Sequence, residues 1–372
     1  MQVVVVRVAL LLLLWRPSFC NADNPQQAPR YAVNLDLPAK ERWNEVVADF
    51  KDEIKVLSRN VQRLVPWDGV DELIQTILAK VNEHLPYPYA EEMAGIAKAA
   101  DVPLAHIMMA NFMYELTAFK QVDPPNSTFT KGCTTILAQS EDGTVYLARN
   151  TDYGLAEMFR KLTIIVDFKE NGETVYTGTT FAGYVGVISG QKPNSFTMAT
   201  NERDTGDWWV NGLEALVTGI DGAVLMLIRD TIADPEMDFK TAVEMTAHRR
   251  MIASTYIMFG GLEQNEAAVM TMDRASANSV WWLGTNHTWY LVETNYDHWK
   301  APPSGHNWRN AAINAMNNVG KDNISPETLL DVLSVDKVLN KCTVHTSIMS
   351  ASDPGLYNTL LRYPAKSAHD CM

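Results

Sequence analysis

Apolar positions recur at helical spacing in the first third of the chain and at strand spacing in most of the remainder. Residues 41–65, ERWNEVVADFKDEIKVLSRNVQRLV, place Trp43, Val46, Val47, Phe50, Ile54, Leu57, Val61 and Leu64 on one helical face. PWDG at 66–69 breaks that pattern. A second amphipathic helix follows, with Val70, Leu73, Ile74, Ile77, Leu78, Val81 and Leu85 as its stripe, and LPYPY at 85–89 ends it. From Glu91 to Phe119 the chain is rich in Ala and Met and reads as two further helices split near Val102-Pro103. QVDPPNSTFTKG, ending at Gly132, is polar and rich in Pro, Ser and Thr, and reads as an exposed loop.

The period changes at Cys133. CTTILAQS and TVYLARN read as strands around Glu141-Asp142-Gly143, and LTIIVDF and TVYTGTTF flank Asn171-Gly172, a strong two-residue hairpin cue. GYVGVISG and SFTMATNER continue the strands. Helical patterns cover 212–232 and 238–252, and STYIMFGG, AAVMTMDR, SVWWLGT and TWYLVETN return to strand spacing. Two short helices near 309–318 and 325–335 precede a last strand, CTVHTSIMSA. Strands, then helices, then strands, joined by antiparallel hairpins, predict an α+β fold in which sheets are layered with helices. There is no internal repeat and no low-complexity segment.

The N-terminus changes the compartment. Val3 to Trp15 is apolar except for Arg7, too short to span a bilayer, and is followed by small and polar residues. Residues 1–22 therefore read as a secretory signal peptide, cut after Ala22, with the bond after Cys20 as the alternative. Three Asn-x-Ser/Thr sequons, at Asn126, Asn286 and Asn323, fit a glycoprotein of that pathway. The formal charge of −13 becomes −15 once Arg7 and Arg16 leave with the signal. Such an acidic surface argues against nucleic acid and against electrostatic adhesion to anionic lipid, and suits a compartment of low pH. Beyond the signal, Cys133, Cys342 and Cys371 are an odd set in an oxidising pathway, so one thiol is free or pairs outside the chain. Cys342 with Cys371 is one possible bridge, and it leaves Cys133 free.

Cys133 has no second cysteine or histidine nearby in sequence to explain it. It stands where the helical segment and its polar loop end and the strands begin. Cleavage of the Gly132–Cys133 bond would put an α-amine, normally near pKa 7.7–8, beside the thiol of the same residue. One amino acid would then supply both nucleophile and proton acceptor. A glycine before the cut bond allows strained backbone at little cost. The plainer reading is a buried structural cysteine at a strand start.

From about Arg30 to Tyr363 the sequence resembles the N-terminal-nucleophile amidases of the lysosome, the acid ceramidase family. The resemblance is carried by CTTILAQSEDG, ARNTDYG, FAGYVGVISGQKP, NERDTGDWW, VETNYDHWK and LNKCTVHTSIMSA, in order and at family spacing. It implies a four-layer αββα sandwich and an inactive precursor that cuts itself before Cys133 at acid pH. The pieces would be residues 23–132, a mostly helical α subunit, and residues 133–372, a catalytic β subunit, held together as a heterodimer. It further implies that Asp152 holds the freed α-amine, with Tyr153 beside it in the motif, and that Arg149 lies beside the thiol and orients the substrate carbonyl. Asn295 would donate its amide to the oxyanion together with a backbone N–H near Glu202, whose own side chain acts instead in proton handling on a second reading. The family's Arg-Arg pair is half present, Trp308 standing in the first place and Arg309 in the second.

The substrate so implied is a lipid amide. TGTTFAGYVG, NERDTGDWW and NYDHWK sit closer to the branch that hydrolyses fatty-acid ethanolamides, whereas Ile188, where that branch is expected to carry tryptophan, sits closer to the ceramidase branch. A third reading, of another class, is a silent lipid-binding glycoprotein that keeps the fold and is never cut. The two amphipathic helices and IMMANFMYEL (Ile107 to Leu116) are the source expected for an apolar channel and a face that contacts lipid, with helix core as their plainer role. Eight histidines form no His-Glu-x-x-His or similar cluster, so no metal and no cofactor is expected. The implied home is the lysosome, with secretion as an added possibility.

Overall fold

The computed structural model describes residues 24–64, 85–117, 131–203, 222–303 and 307–365. Among the described residues there are two sheets. The six-stranded sheet runs β1 (Gln26–Gln27), β14 (Asp353–Leu361), β13 (Thr343–Ser350), β4 (Val145–Tyr153), β3 (Lys131–Gln139) and β12 (Tyr290–Glu293). The eight-stranded sheet runs β11 (Ala277–Trp282), β10 (Ala267–Met272), β9 (Thr255–Gly260), β8 (Phe196–Glu202), β7 (Ser189–Lys192), β6 (Glu173–Phe181), β5 (Thr163–Glu170) and β2 (Arg30–Asn34). Neighbouring strands are antiparallel except β2 on β5, which is parallel.

Alternation along the strands explains the layering. Successive side chains of a strand point to opposite faces, so each strand feeds two cores. Leu137, Leu147, Ile165, Met258 and Val269 meet between the sheets. Their neighbours Ile136, Ala138 and Ala148 instead pack on the helices Trp308–Val319 and Pro326–Val332 outside the six-stranded sheet. Ile164, Val166, Ile257 and Met270 pack outside the eight-stranded sheet, where Val46, Ile54, Leu57, Met93 and Ile228 belong to helices. The order helix, sheet, sheet, helix is the αββα sandwich. Among the described residues no helix is long and apolar enough to cross a membrane.

The helices outside the eight-stranded sheet come from the N-terminal segment and from the middle of the chain, where Val224–Ala233 and Phe239–Ala247 contribute Ile228 and Val243 to this core. From the N-terminal segment these are α1 (Asn44–Leu64), α2 (Tyr89–Ala100), α3 (Leu104–Asn111) and α4 (Met113–Thr117). The stripe read for residues 41–65 lies in α1 from Val46 onward, with Val46, Val47, Ile54, Leu57 and Val61 buried in this core, and its first member, Trp43, is buried in the turn just before the helix. The second amphipathic helix, the first part of the 212–232 pattern, Asn126, Cys371 and the signal peptide lie outside the described residues.

Several elements differ from the sequence reading. Residues 183–188 of the expected strand GYVGVISG are loop, and only Ser189–Lys192 pairs, because the loop's polar backbone is bonded by other elements. Asn111 Nδ2 donates to the Gly183 carbonyl at 3.0 Å, Asn111 Oδ1 accepts from the Val185 N–H at 2.7 Å, and Arg229 donates to the Val185 carbonyl at 2.8 Å. A short helix, α5 (Ala156–Leu162), fills the gap before β5. The N-terminal segment, read as mostly helical, also gives an edge strand to each sheet, β1 and β2.

Candidate active site

Cys133 is the third residue of β3, opposite Thr151 of β4, while Arg149 is opposite Thr135. Cys133 and Arg149 are both odd-numbered, like Leu137 and Leu147, so they share the inter-sheet face and stand diagonally across the ladder. Diagonal neighbours are within reach of a long side chain, and Arg149 Nη2 is 3.3 Å from Cys133 Sγ. Its Nη1 donates to the Ile188 carbonyl at 3.1 Å, which fixes the guanidinium from the other side. The next even position puts Asp152 opposite Gly132.

Gly132 lies in regular strand and not in the left-handed region. The expectation that it relieves backbone strain is therefore replaced by a spatial reason. A Cβ at this position would lie 3.2 Å from Asp152 Oδ2, so glycine leaves room for the carboxyl group.

The Cys133 nitrogen is held from a different element. Its N–H donates to Asn295 Oδ1 at 2.8 Å, and Asn295 Nδ2 donates to the Glu202 carbonyl at 2.9 Å. Both partners have fixed roles, a backbone donor and a backbone acceptor, so the amide has one orientation. Asn295 thus uses its oxygen on the Cys133 nitrogen and one amide hydrogen on the Glu202 carbonyl. The backbone group that Glu202 turns to Asn295 is its carbonyl.

The Asn295 turn is clamped by two arginines. Arg203 Nε donates to Asp297 Oδ1 at 2.9 Å. Arg309 donates to the carbonyls of Tyr296, Asp297 and Lys300 at 3.1, 3.2 and 2.7 Å, and its guanidinium lies 3.9 Å from the centre of the Tyr296 ring. Arg309 therefore supports the turn, and Trp308 is buried beside it at the start of its helix.

Cys133, Arg149, Asp152, Tyr153 and Glu202 line one cavity, closed by Tyr114, Ile188, Thr200 and Leu225. Tyr114 comes from the IMMANFMYEL stretch; Ile107 to Ala110, Phe112 and Met113 of that stretch are core. Burial pushes the Cys133 thiol up, and the Arg149 guanidinium acts against it. Burial also raises the Asp152 carboxyl to about 6, although the side chains of Asn340 and Thr343 and the charges of Arg149 and Arg362 pull it down. A thiol beside a guanidinium, an amide-held nitrogen on the same residue and a carboxyl one residue back across the ladder together suit nucleophilic attack on a carbonyl.

Asn286 and Asn323 sit on exposed turns. Cys342 is disulfide-bonded, and Cys133 is a free cysteine. The sequence reading missed Asn340, which donates to Asp152 Oδ2 at 2.8 Å, and Asn111 and Arg203, which hold the loops around the cavity. Only Arg203 carried a local signal, as the neighbour of Glu202 in NERD.

The family model described as the beta subunit of N-acylethanolamine-hydrolyzing acid amidase matches residues 26–97, inside the segment labelled α above. The N-acylethanolamine-hydrolyzing acid amidase of Rattus norvegicus is 38% identical over 360 residues, spanning 96% of this chain and 95% of the relative. Acid ceramidase of Homo sapiens is 32% identical over 357 residues, spanning 90% and 86%. The solved structure of the Caenorhabditis elegans N-acylethanolamine-hydrolyzing acid amidase ortholog matches with a TM-score of 0.57 at 33% identity, covering 62% of this chain and 100% of that one.

Proposed function

This chain belongs to the family of N-acylethanolamine-hydrolysing acid amidases and acid ceramidases, and from that membership we propose a self-processed cysteine amidase acting on fatty-acid ethanolamides. The observation that carries the reading is the setting of Cys133, with its sulfur on Arg149, its nitrogen on Asn295 and Asp152 across the ladder from Gly132. In the first step Sγ attacks the Gly132 carbonyl carbon. The Gly132–Cys133 amide breaks, its nitrogen takes a proton, and Gly132 is left as a thioester on Sγ. Water hydrolyses that thioester, releasing the Gly132 carboxylate and freeing both thiol and α-amine.

Turnover repeats the chemistry on the lipid. The thiol gives its proton to the α-amine and attacks the substrate carbonyl carbon, while Arg149 stabilises the thiolate and Asn295 supplies an N–H to the oxyanion. The α-ammonium, paired with Asp152, returns its proton to the leaving nitrogen as ethanolamine departs. Water then attacks the thioester with the α-amine as base, and the fatty acid leaves. Entry through the secretory pathway, glycosylation at exposed Asn286 and Asn323, and work in an acid compartment such as the lysosome complete the reading. The apolar N-terminus, the sequons and the acidic charge support it.

Cys133→Ala is expected to remain one chain after acid incubation and to lack hydrolysis. Two fragments from that variant would overturn self-cleavage. Ceramide is the second reading, because Ile188 lies on the cavity wall. Assaying palmitoylethanolamide and a ceramide side by side with the cleaved protein separates the two, and faster ceramide turnover would reverse the assignment.

A further inference from the structure

Asp152 is held from outside its own ladder. Its Oδ2 accepts from Asn340 Nδ2 at 2.8 Å, and Asn340 precedes β13, far along the chain from the strands that carry Cys133 and Asp152. The other end of the Asn340 side chain is also bonded, its Oδ1 accepting from the Cys342 N–H at 2.9 Å. The Asn340 backbone N–H donates to Thr343 Oγ1 at 3.0 Å. A backbone N–H can only be met by the amide oxygen, so the NH2 group must face the carboxyl. Asn340 is thus oriented by the residue that carries the disulfide.

The consequence is chemical. A donor aimed at a carboxylate favours its charged form and fixes its plane. The charged groups acting on Asp152 are Arg149 from β4 and Arg362 from just beyond β14, and the Cys133 thiol and Glu202 are the acidic groups of the same cavity. Thr343 adds a side-chain hydroxyl that also accepts the Asn340 backbone N–H, and the fixed, uncharged N–H on the carboxyl comes from Asn340. We propose that Asn340 is a positioning residue for the amidase reaction, keeping the Asp152 carboxylate ionised and in place to hold the Cys133 α-ammonium. The inference rests on the role given to Asp152 above.

The test uses cleaved wild-type enzyme, Asn340→Leu, Asn340→Asp and Asp152→Asn. It measures kcat and KM for palmitoylethanolamide against pH, the pH dependence of Cys133 alkylation by iodoacetamide, and thermal melting. In Asn340→Leu the acid limb of kcat should move up by about one pH unit, tenfold on the acid side, with KM within about twofold. In Asn340→Asp, which matches Asn in shape, a second carboxyl shares the site and the limb should move further. The alkylation profile should follow the same order without depending on turnover. Unchanged profiles in both Asn340 variants, with Asp152→Asn inactive, would overturn the role of Asn340 alone. A wild-type profile in Asp152→Asn would overturn the reading of Asp152 itself. Where an Asn340 variant melts well below the wild type, Asn340→Ser, which keeps a donor, should return the profile towards wild type; failure to do so counts against the proposal.

Discussion

At the scale of single residues, the consequence of placing Asp152 against Gly132 is a dependence on pH. Thiol attack puts negative charge on the Gly132 carbonyl oxygen, and an ionised carboxylate beside it opposes that charge while a neutral one does not. Burial raises Asp152 to about 6 in the uncut chain, so the group becomes neutral as pH falls through that value. The stability sign agrees: a carboxyl raised above its usual value near 3.9 contributes stability that is complete below about 4 and lost as pH rises through about 6. The uncut chain is thus both steadier and more reactive on the acid side. Self-cleavage, followed as the fraction cut on a gel between pH 4 and 8, should accelerate as pH falls through about 6. Asp152→Asn, neutral at every pH, should remove that inflection. Any cleaved Asp152→Asn enzyme should turn over at least about a hundredfold more slowly, because the α-ammonium has lost its counter-charge.

At the scale of elements, the Asn295 turn shows what a helix can do for a loop. Arg309, second residue of the helix Trp308–Val319, reaches three carbonyls of the turn that presents Asn295 to the Cys133 nitrogen. A lysine keeps the charge but cannot fork across three acceptors. Arg309→Lys should therefore lower kcat more than it changes KM, and lower stability by about 1–3 kcal/mol through unpaired carbonyls; denaturant melts and steady-state kinetics check both. Elements whose cause is local were legible in the sequence. Asn171 and Gly172 both take positive φ, 50° and 83°, as a two-residue hairpin of their composition requires. The strands around Cys133 alternate because they feed two cores. Elements whose cause is distant were not legible. β14 opens on Asp353-Pro354-Gly355, which reads as turn, and is ordered by its neighbour β13. β2 has one buried side chain, Val33, and exists because β5 offers it an edge. Asn340 looks like an ordinary polar residue before a cysteine, since its partner stands 188 positions away.

At the scale of the whole molecule, the expected cut falls inside β3, yet the two pieces are interleaved on both sides of it. The N-terminal segment supplies β1 to one sheet and β2 to the other. It also supplies Tyr114 to the cavity and Asn111 to the loop that presents Ile188 to Arg149. Its deepest tie is Glu92, fully buried, whose Oε1 accepts from Arg229 Nη2 at 2.9 Å and from Arg42 at 3.2 Å, while Oε2 accepts from Trp43 Nε1 at 2.8 Å. Arg229 lies in the C-terminal segment and also bonds the Tyr176 hydroxyl and the Val185 carbonyl. Before cleavage this buried pair stabilises one chain; after cleavage the same pair lies across a contact between two. Removing one partner of a buried ion pair leaves the other charged and without compensation, at a cost of about 3–5 kcal/mol. Glu92→Gln keeps the shape and deletes the charge that Arg229 needs. The uncut variant should lose stability of that order in a denaturant melt. Once cut, it should separate into its two pieces on a sizing column under conditions where the wild-type pieces travel together, and hydrolysis should fall in step with the separation. Co-elution of the cut Glu92→Gln pieces with full activity would mean that the edge strands and the apolar helix packing hold the assembly without this pair.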